Sequence, residues 1–188
     1  MTFAELVAAA LAHLERAAIP YMVTGSIAST YHGEARATRD LDIVIDPSAA
    51  ALDRLIADLV EGGFYVDAEA ARSALQARTQ FNAIGPDASK VDFIIRRNRP
   101  FSVEEFGRRR PADLLGTPGY ITTVEDMVVA KLEWATATDS ERQLRDVAGM
   151  LAVSGGDVDR AYVVRWVEAL GLREVWCRVT DQSSEPRP

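Results

Sequence analysis

Apolar positions recur along this chain first at helical spacing, then in strand-like runs, then at helical spacing again. Phe3, Leu6, Val7, Ala10, Leu11 and Leu14 repeat on one helical face, predicting a helix over about 3–18. Thr2 and Glu5 have the spacing of a capping box at its start, and Pro20 ends it. Tyr21-Met22-Val23 is a first strand; Gly25-Ser26 then turns into a short helix over about 27–33. Leu41, Ile43, Val44 and Ile45 mark a second strand over 40–45, stopped by Asp46-Pro47. Ser48 caps a helix carrying Leu52, Leu55, Ile56, Leu59 and Val60, which Gly62-Gly63 terminates. A short strand at 64–66 and a small helix at 68–77 follow. Thr79–Ile84 and Lys90–Arg97 read as a hairpin joined through Gly85-Pro86. The stretch 98–118 reads as a loop with a short helix near 103–106.

From Thr122 onward the rhythm is helical throughout. Thr122 and Glu125 suggest a capping box ahead of Met127, Val128, Lys131, Leu132 and Trp134. A second helix over about 140–153 carries Leu144, Val147, Ala148 and Leu151, and Gly155-Gly156 breaks it. Asp157 is placed to cap a third helix through Tyr162, Val163, Trp166 and Leu170, and a last helical piece holds Leu172, Val175, Trp176 and Val179. Trp134, Trp166 and Trp176 are read as core. The expected class is α/β at the front and all-helical behind. The expected divisions are a core over 1–118, a helical region over 119–178 and a disordered tail over 179–188.

Chemistry enters through the acids of the second strand. Residues i and i+2 of a strand point to one face, so Asp40 and Asp42 project together, about 7 Å apart at the backbone. Two carboxylates aimed one way from an apolar strand repel each other unless cations neutralise them. Hard oxygen ligands on a rigid element suit magnesium, which takes one or two carboxylates together with substrate phosphates. Fifteen residues before, Gly25-Ser26 opens a helix whose free N–H groups and positive dipole end would welcome a phosphate. The bland alternatives are a solvated strand end, a turn glycine and an N-cap serine.

Composition narrows the setting. The 188 residues are 48% hydrophobic and 26% charged, the balance of an ordinary globular chain. No apolar run reaches the length of a membrane span, and Glu5, His13 and Glu15 interrupt an N-terminus that reads as an amphipathic helix, not a signal peptide. The lone Cys177 forms no internal disulfide and no Cys/His cluster suggests zinc, so a cytoplasmic location is expected. A net charge of −7 argues against a generally nucleic-acid-coating surface. Yet Arg96, Arg97, Arg99, Arg108, Arg109 and Arg110 place six of the 21 Lys and Arg residues in fifteen positions. That cluster either steers a polyanion or is a solvated face or partner contact. Arg36 and Arg39, before the acidic strand, either clamp phosphate or solvate a loop. His32, on the helix after the phosphate turn, either relays a proton or has a surface or cap role, the favoured reading, and His13 is read as structural.

The order hydrophobic-Gly25-Ser26, spacer, Asp40-Leu41-Asp42-Ile43 resembles the signature of the nucleotidyltransferase superfamily related to DNA polymerase β. That superfamily uses a third carboxylate on a later strand, and Asp92 in Lys90-Val91-Asp92-Phe93-Ile94-Ile95 matches it. Lys131-Leu132 and Arg145-Asp146 are similar to later motifs of the abortive-infection type of nucleotidyltransferase toxin. The chain departs from these at Gly149, where such proteins often have a second aspartate. Over roughly residues 20–150 the resemblance implies a mixed β-sheet core flanked by helices, with a C-terminal helical bundle. It implies an enzyme moving a nucleoside monophosphate from a nucleoside triphosphate to an acceptor hydroxyl of RNA, protein or a small molecule. Asp40, Asp42 and Asp92 would hold two Mg2+ ions, with Mn2+ able to substitute. Gly25, Ser26, Arg39 and Lys131 would contact phosphate, and Asp146 would orient or accept a proton. A toxin role implies an antitoxin partner and no membrane. The alternative is a non-catalytic nucleotide- or partner-binding module of the same fold. For Arg142–Asp146 and Glu141–Arg145, i,i+4 pairing on an exposed helix is the plain alternative.

Overall fold

The computed structural model describes residues 1–33 and 40–182, which divide into two compact units. The described part of the first unit is residues 1–27 and 40–122; that of the second is 28–33 and 123–182. Among the described residues no helix is long and apolar enough to cross a membrane.

The first unit is built on a seven-stranded mixed sheet. Its strands are β1 (Tyr21–Val23), β2 (Asp40–Ile45), β3 (Tyr65–Val66), β4 (Gln80–Ile84), β5 (Lys90–Ile95), β6 (Arg110–Leu114) and β7 (Thr117–Ile121). They lie in the order β3-β4-β5-β2-β1-β7-β6. The two pairings that matter for chemistry are β2 with β5, parallel, and β1 with β2, antiparallel. Leu41, Ile43 and Ile45 of β2, with Val91, Phe93 and Ile95 of β5, are wholly buried. Their alternates, Asp40, Asp42, Lys90 and Asp92, share the other face. Each buried side chain stabilises by roughly 1.5–3 kcal/mol. Six of them outweigh the repulsion between the acids opposite, so the strands hold their places.

Helix α1 (Phe3–Arg16) starts at Thr2 with the expected capping box: the Thr2 side chain accepts from the Glu5 N–H, and the Thr2 N–H donates to Glu5 at 2.6 Å. It packs on β7 and on α3 (Ala49–Glu61), which Ser48 caps. His13 of α1 is buried, its Nδ1 2.6 Å from the Asp58 carboxylate of α3, a tie between helices. Helix α2 (Gly25–His32) belongs to the first unit through Ile27, and α4 (Ala68–Ala77) lies against β4.

The stretch 98–118 is not a loop. It forms α5 (Pro100–Gly107) and the β6–β7 hairpin, with β7 parallel to β1 at Val23 and Ile121. Two features hid the hairpin. Pro111 and Pro118 sit in strands where proline is disfavoured, and β6 tolerates one because it is the sheet edge. The two-residue turn puts Leu115 and Gly116 at φ 57° and 87°, a conformation usually signalled by Asn-Gly. Here Asp113 stabilises it instead, accepting the Gly116 N–H at 2.8 Å.

The second unit packs α6 (Val124–Thr138) against α7 (Glu141–Ser154), α8 (Arg160–Ala169) and α9 (Arg173–Gln182). Thr123, not Thr122, is the N-cap of α6, with Asp126 at its third position. Thr122 is still extended, donating its N–H to Val23, so the helix begins one residue later. Likewise Asp159, not Asp157, caps α8, accepting the Tyr162 N–H. Trp166 is buried, but Trp134 is 53% exposed, off the buried stripe of Val128, Leu132 and Ala135. Of the expected tail over 179–188, residues 179–182 continue α9 with Val179 buried, because its apolar stripe runs on past 178; residues 183–188 lie outside the described residues.

Candidate active site

In the parallel register of β2 and β5, Asp42 lies directly opposite Asp92 and Asp40 directly opposite Lys90. Asn82 of β4 is opposite Asp92 on its other side. Three acids, one lysine and one amide therefore share one sheet face. Asp92 is buried, Asp42 half-buried and Asp40 exposed, so the face opens from strand middle to strand start.

The first turn of α2 closes on Asp42. The Ser26 backbone N–H donates to the Asp42 carboxylate, and the Thr24 N–H donates to the Asp42 carbonyl at 3.0 Å. Gly25 has φ +63°. A Cβ there would lie 2.6 Å from Asp42 Cγ and 2.7 Å from its Cβ, so only glycine allows this approach. Gly25, Ser26, Asp40, Asp42 and Asp92 are thus brought together in the first unit.

The electrostatics are those of crowded acids. Burial, and then the Asp92 charge, push Asp42 up to about 6, against the Ser26 N–H that favours its ionised form. The Lys90 ammonium sits 2.8 Å from Asp92 Oδ2, and that hydrogen bond holds Lys90 above its ordinary value. As they stand, no three or more His, Cys, Asp or Glu side chains among the described residues form a group that could hold a metal ion. The donor chemistry nonetheless fits a divalent cation. The ligands are hard oxygens on adjacent rigid strands, and a nearby positive charge favours the ionised Asp42 that burial and then the Asp92 charge disfavour.

Lys131 and Asp146 meet in the second unit. Lys131 is buried, its Nζ 2.7 Å from Asp146 Oδ2 and 2.7 Å from Gln143 Oε1. Arg36 and Arg39 lie outside the described residues. His32 makes an edge contact with the Tyr31 ring, and the Ser154 hydroxyl donates to its carbonyl. Of the arginine cluster, Arg96 pairs with Asp46 at 2.8 Å, Arg99 donates to Ser102, and Arg109 stacks over Phe106 and Tyr120. Of the six, Arg97 and Arg110 are exposed and the other four half-buried. Sequence reasoning missed Lys90, Asn82 and Gln143. The i, i+2 rule that joined Asp40 to Asp42 equally joins Lys90 to Asp92, and Gln143 stands one helical turn before Asp146.

Compared with solved structures, the chain is similar to ANT(2'')-Ia in complex with adenylyl-2''-tobramycin: 14% identity, TM-score 0.64, 90% of this chain and 99% of that one. It is also similar to an antigenic nucleotidyltransferase-like protein from Paracoccidioides brasiliensis, at 16% identity and TM-score 0.55 over 93% and 90% of the two chains. A third is the lincosamide antibiotic adenylyltransferase LnuA with lincomycin bound, at 12% identity and TM-score 0.52 over 76% and 92%. The fold is the nucleotidyltransferase fold. No protein-family model and no curated protein matches the chain. The mixed sheet with flanking helices that the resemblance implies is therefore what the chain adopts, with Asp40 and Asp42 on one sheet face and Gly25-Ser26 in the first turn of α2.

Proposed function

We propose that the protein transfers a nucleoside monophosphate from a nucleoside triphosphate to the hydroxyl of a small acceptor molecule. The observation that carries this reading is Asp42 opposite Asp92 across β2 and β5, with Asp40 on the same face and α2 beginning at Asp42. Asp40, Asp42 and Asp92 would hold divalent cations, with Mg2+ favoured for oxygen donors and phosphate. Bound there, the cations supply charge neutralisation for the triphosphate and the departing pyrophosphate. The first turn of α2, at Gly25 and Ser26, receives phosphate oxygens on its N–H groups. Asp92 accepts the acceptor hydroxyl's proton as the new O–P bond forms and the bond to pyrophosphate breaks. Rate enhancement then rests on placement and charge.

A small acceptor is favoured over a polyanion on two grounds. Arg96, Arg99 and Arg109 are engaged within the fold, which halves the part of the arginine cluster open to an RNA backbone. Two structures sharing the fold have small-molecule antibiotics in their own sites, tobramycin as its adenylyl derivative and lincomycin. A cytoplasmic setting, where nucleoside triphosphates are abundant, belongs to the same proposal.

The test is label transfer. The protein is incubated with each α-labelled nucleoside triphosphate and Mg2+ or Mn2+, with aminoglycosides, lincosamides, RNA or lysate protein as acceptor, beside Asp42→Ala. Label on a small hydroxyl compound, lost in the variant, supports the proposal. Label on RNA or protein moves the reading to a toxin-like enzyme with an antitoxin partner. Metal-dependent triphosphate binding with no transfer to any acceptor points to a non-catalytic module, and no binding sinks the nucleotide reading.

A further inference from the structure

We propose that Lys90 is an exchangeable internal cation of the acid face, one that occupies Asp92 until a divalent cation displaces it. The inference rests on the reading that these acids hold a divalent cation.

Its ground is the register of the sheet. Lys90 is two residues before Asp92 on β5, so both side chains leave the same face. Across to β2 it stands opposite Asp40 at the open end of the acid face, and its ammonium reaches inward to Asp92 at 2.8 Å. The pair is asymmetric: the Lys90 side chain is 40% exposed and Asp92 only 12%. The carboxylate is fixed by the strand, whereas the lysine has a route to water. An ammonium on a flexible stem is strongly hydrated and binds through single donors, so it leaves more readily than a forked guanidinium. The three acids are thereby partly neutralised without metal, and an arriving cation competes with a tethered one. Such competition weakens binding of the metal alone. It leaves the displaced ammonium available to the negative charge of a triphosphate arriving with the metal.

The experiment measures Mn2+ affinity directly, by electron paramagnetic resonance and calorimetry, for the whole chain without nucleotide. Lys90→Met is expected to bind Mn2+ about tenfold more tightly than the natural protein, the size expected for removing one near-surface charge beside a ligand. Lys90→Arg, which keeps the charge, is expected to bind no more tightly than the natural protein. In an Asp92→Asn background the effect of Lys90→Met should largely vanish, because the shared partner is gone. Equal or weaker Mn2+ binding by Lys90→Met overturns the inference while leaving the metal reading standing. No Mn2+ binding by the natural protein overturns the metal reading and the inference with it. Should Lys90→Met fail to fold, Lys90→Gln is measured and read by the same criteria.

Discussion

The two units use similar charged residues to opposite ends. In the helical unit each buried charge is answered. Lys131 is held by Asp146 and Gln143, and Asp126, wholly buried, accepts from the Thr123 and Tyr162 hydroxyls. Glu125 accepts the Asp159 N–H at the start of α8. On the sheet of the first unit, Asp42 and Asp92 face each other with Asp40 alongside, and Asp42 is pushed up to about 6. Answered charges specify how helices pack; crowded charges on a rigid support store a capacity to bind cations and phosphate. The difference separates a structural polar network from a site.

The comparison breaks first at Asp42. If the sheet face is the reactive site, Asp42→Ala should lower nucleotidyl transfer by about a thousandfold or more, as loss of a principal charge-stabilising group does. Circular dichroism should stay unchanged. Transfer within about tenfold of the natural rate would remove the acid face from the chemistry.

In the helical unit the expected effect falls on stability. Lys131→Met takes the cation from a half-buried Asp146, and because that carboxylate keeps some access to water the cost is about 1–3 kcal/mol, below that of a fully buried pair. Urea midpoints read this directly. Lys131→Met combined with Asp146→Leu should recover most of the loss, because the orphaned charge is gone. If instead Lys131→Met folds as well as the natural protein yet abolishes transfer, Lys131 is a phosphate contact and the contrast between the units fails.

Gly25→Ala tests the junction of helix and acid. The methyl would collide with Asp42 and strain a backbone at φ +63°, costing about 1–3 kcal/mol of stability. Because the displaced group is Asp42 itself, transfer should fall about a hundredfold, more than the stability loss explains. Gly116→Ala, with a comparable φ of 87° and open space around it, is the control: strain without loss of specific activity.

What could be read from the sequence follows from how locally each feature is encoded. The acids of β2 were legible because strand alternation is a rule of period two, and Leu41, Ile43 and Ile45 announced the buried face. The β4–β5 hairpin was legible because Gly85-Pro86 separates two strand-like runs. The β6–β7 hairpin was not, because its turn uses Leu115-Gly116 and its strands carry prolines, so no local signal outweighed the loop-like composition. Thr122 was misread as a cap because its partner is the Val23 carbonyl, nearly a hundred residues away. Register was the largest hidden quantity. Nothing local says that Asp42 pairs with Asp92 and Asp40 with Lys90; the nonlocal packing of the sheet decides it.

The smallest expected effect concerns metal-free stability and pH. Asp42 titrates at about 6 in the folded chain and near the ordinary 3.8 when unfolded, so the folded state holds the extra proton between these values. A raised acid makes stability fall as pH rises through that window; below about 3.8 the relative gain is complete, and above about 6 it is gone. The difference between 3.8 and about 6 corresponds to roughly 3 kcal/mol, which partial exposure to water reduces to about 1–2 kcal/mol. Asp42→Asn keeps an oxygen for the Ser26 N–H and removes the charge. In chelator at pH 8 it should therefore be about 1–2 kcal/mol more stable than the natural protein, the gap closing toward pH 4. Urea midpoints from pH 4 to 8 measure this, and Mn2+ should stabilise the natural protein more than Asp42→Asn. A variant equally or less stable at pH 8 would mean that burial and the Asp92 charge cost the acid face nothing. Its contrast with the helical unit would then lie in position alone.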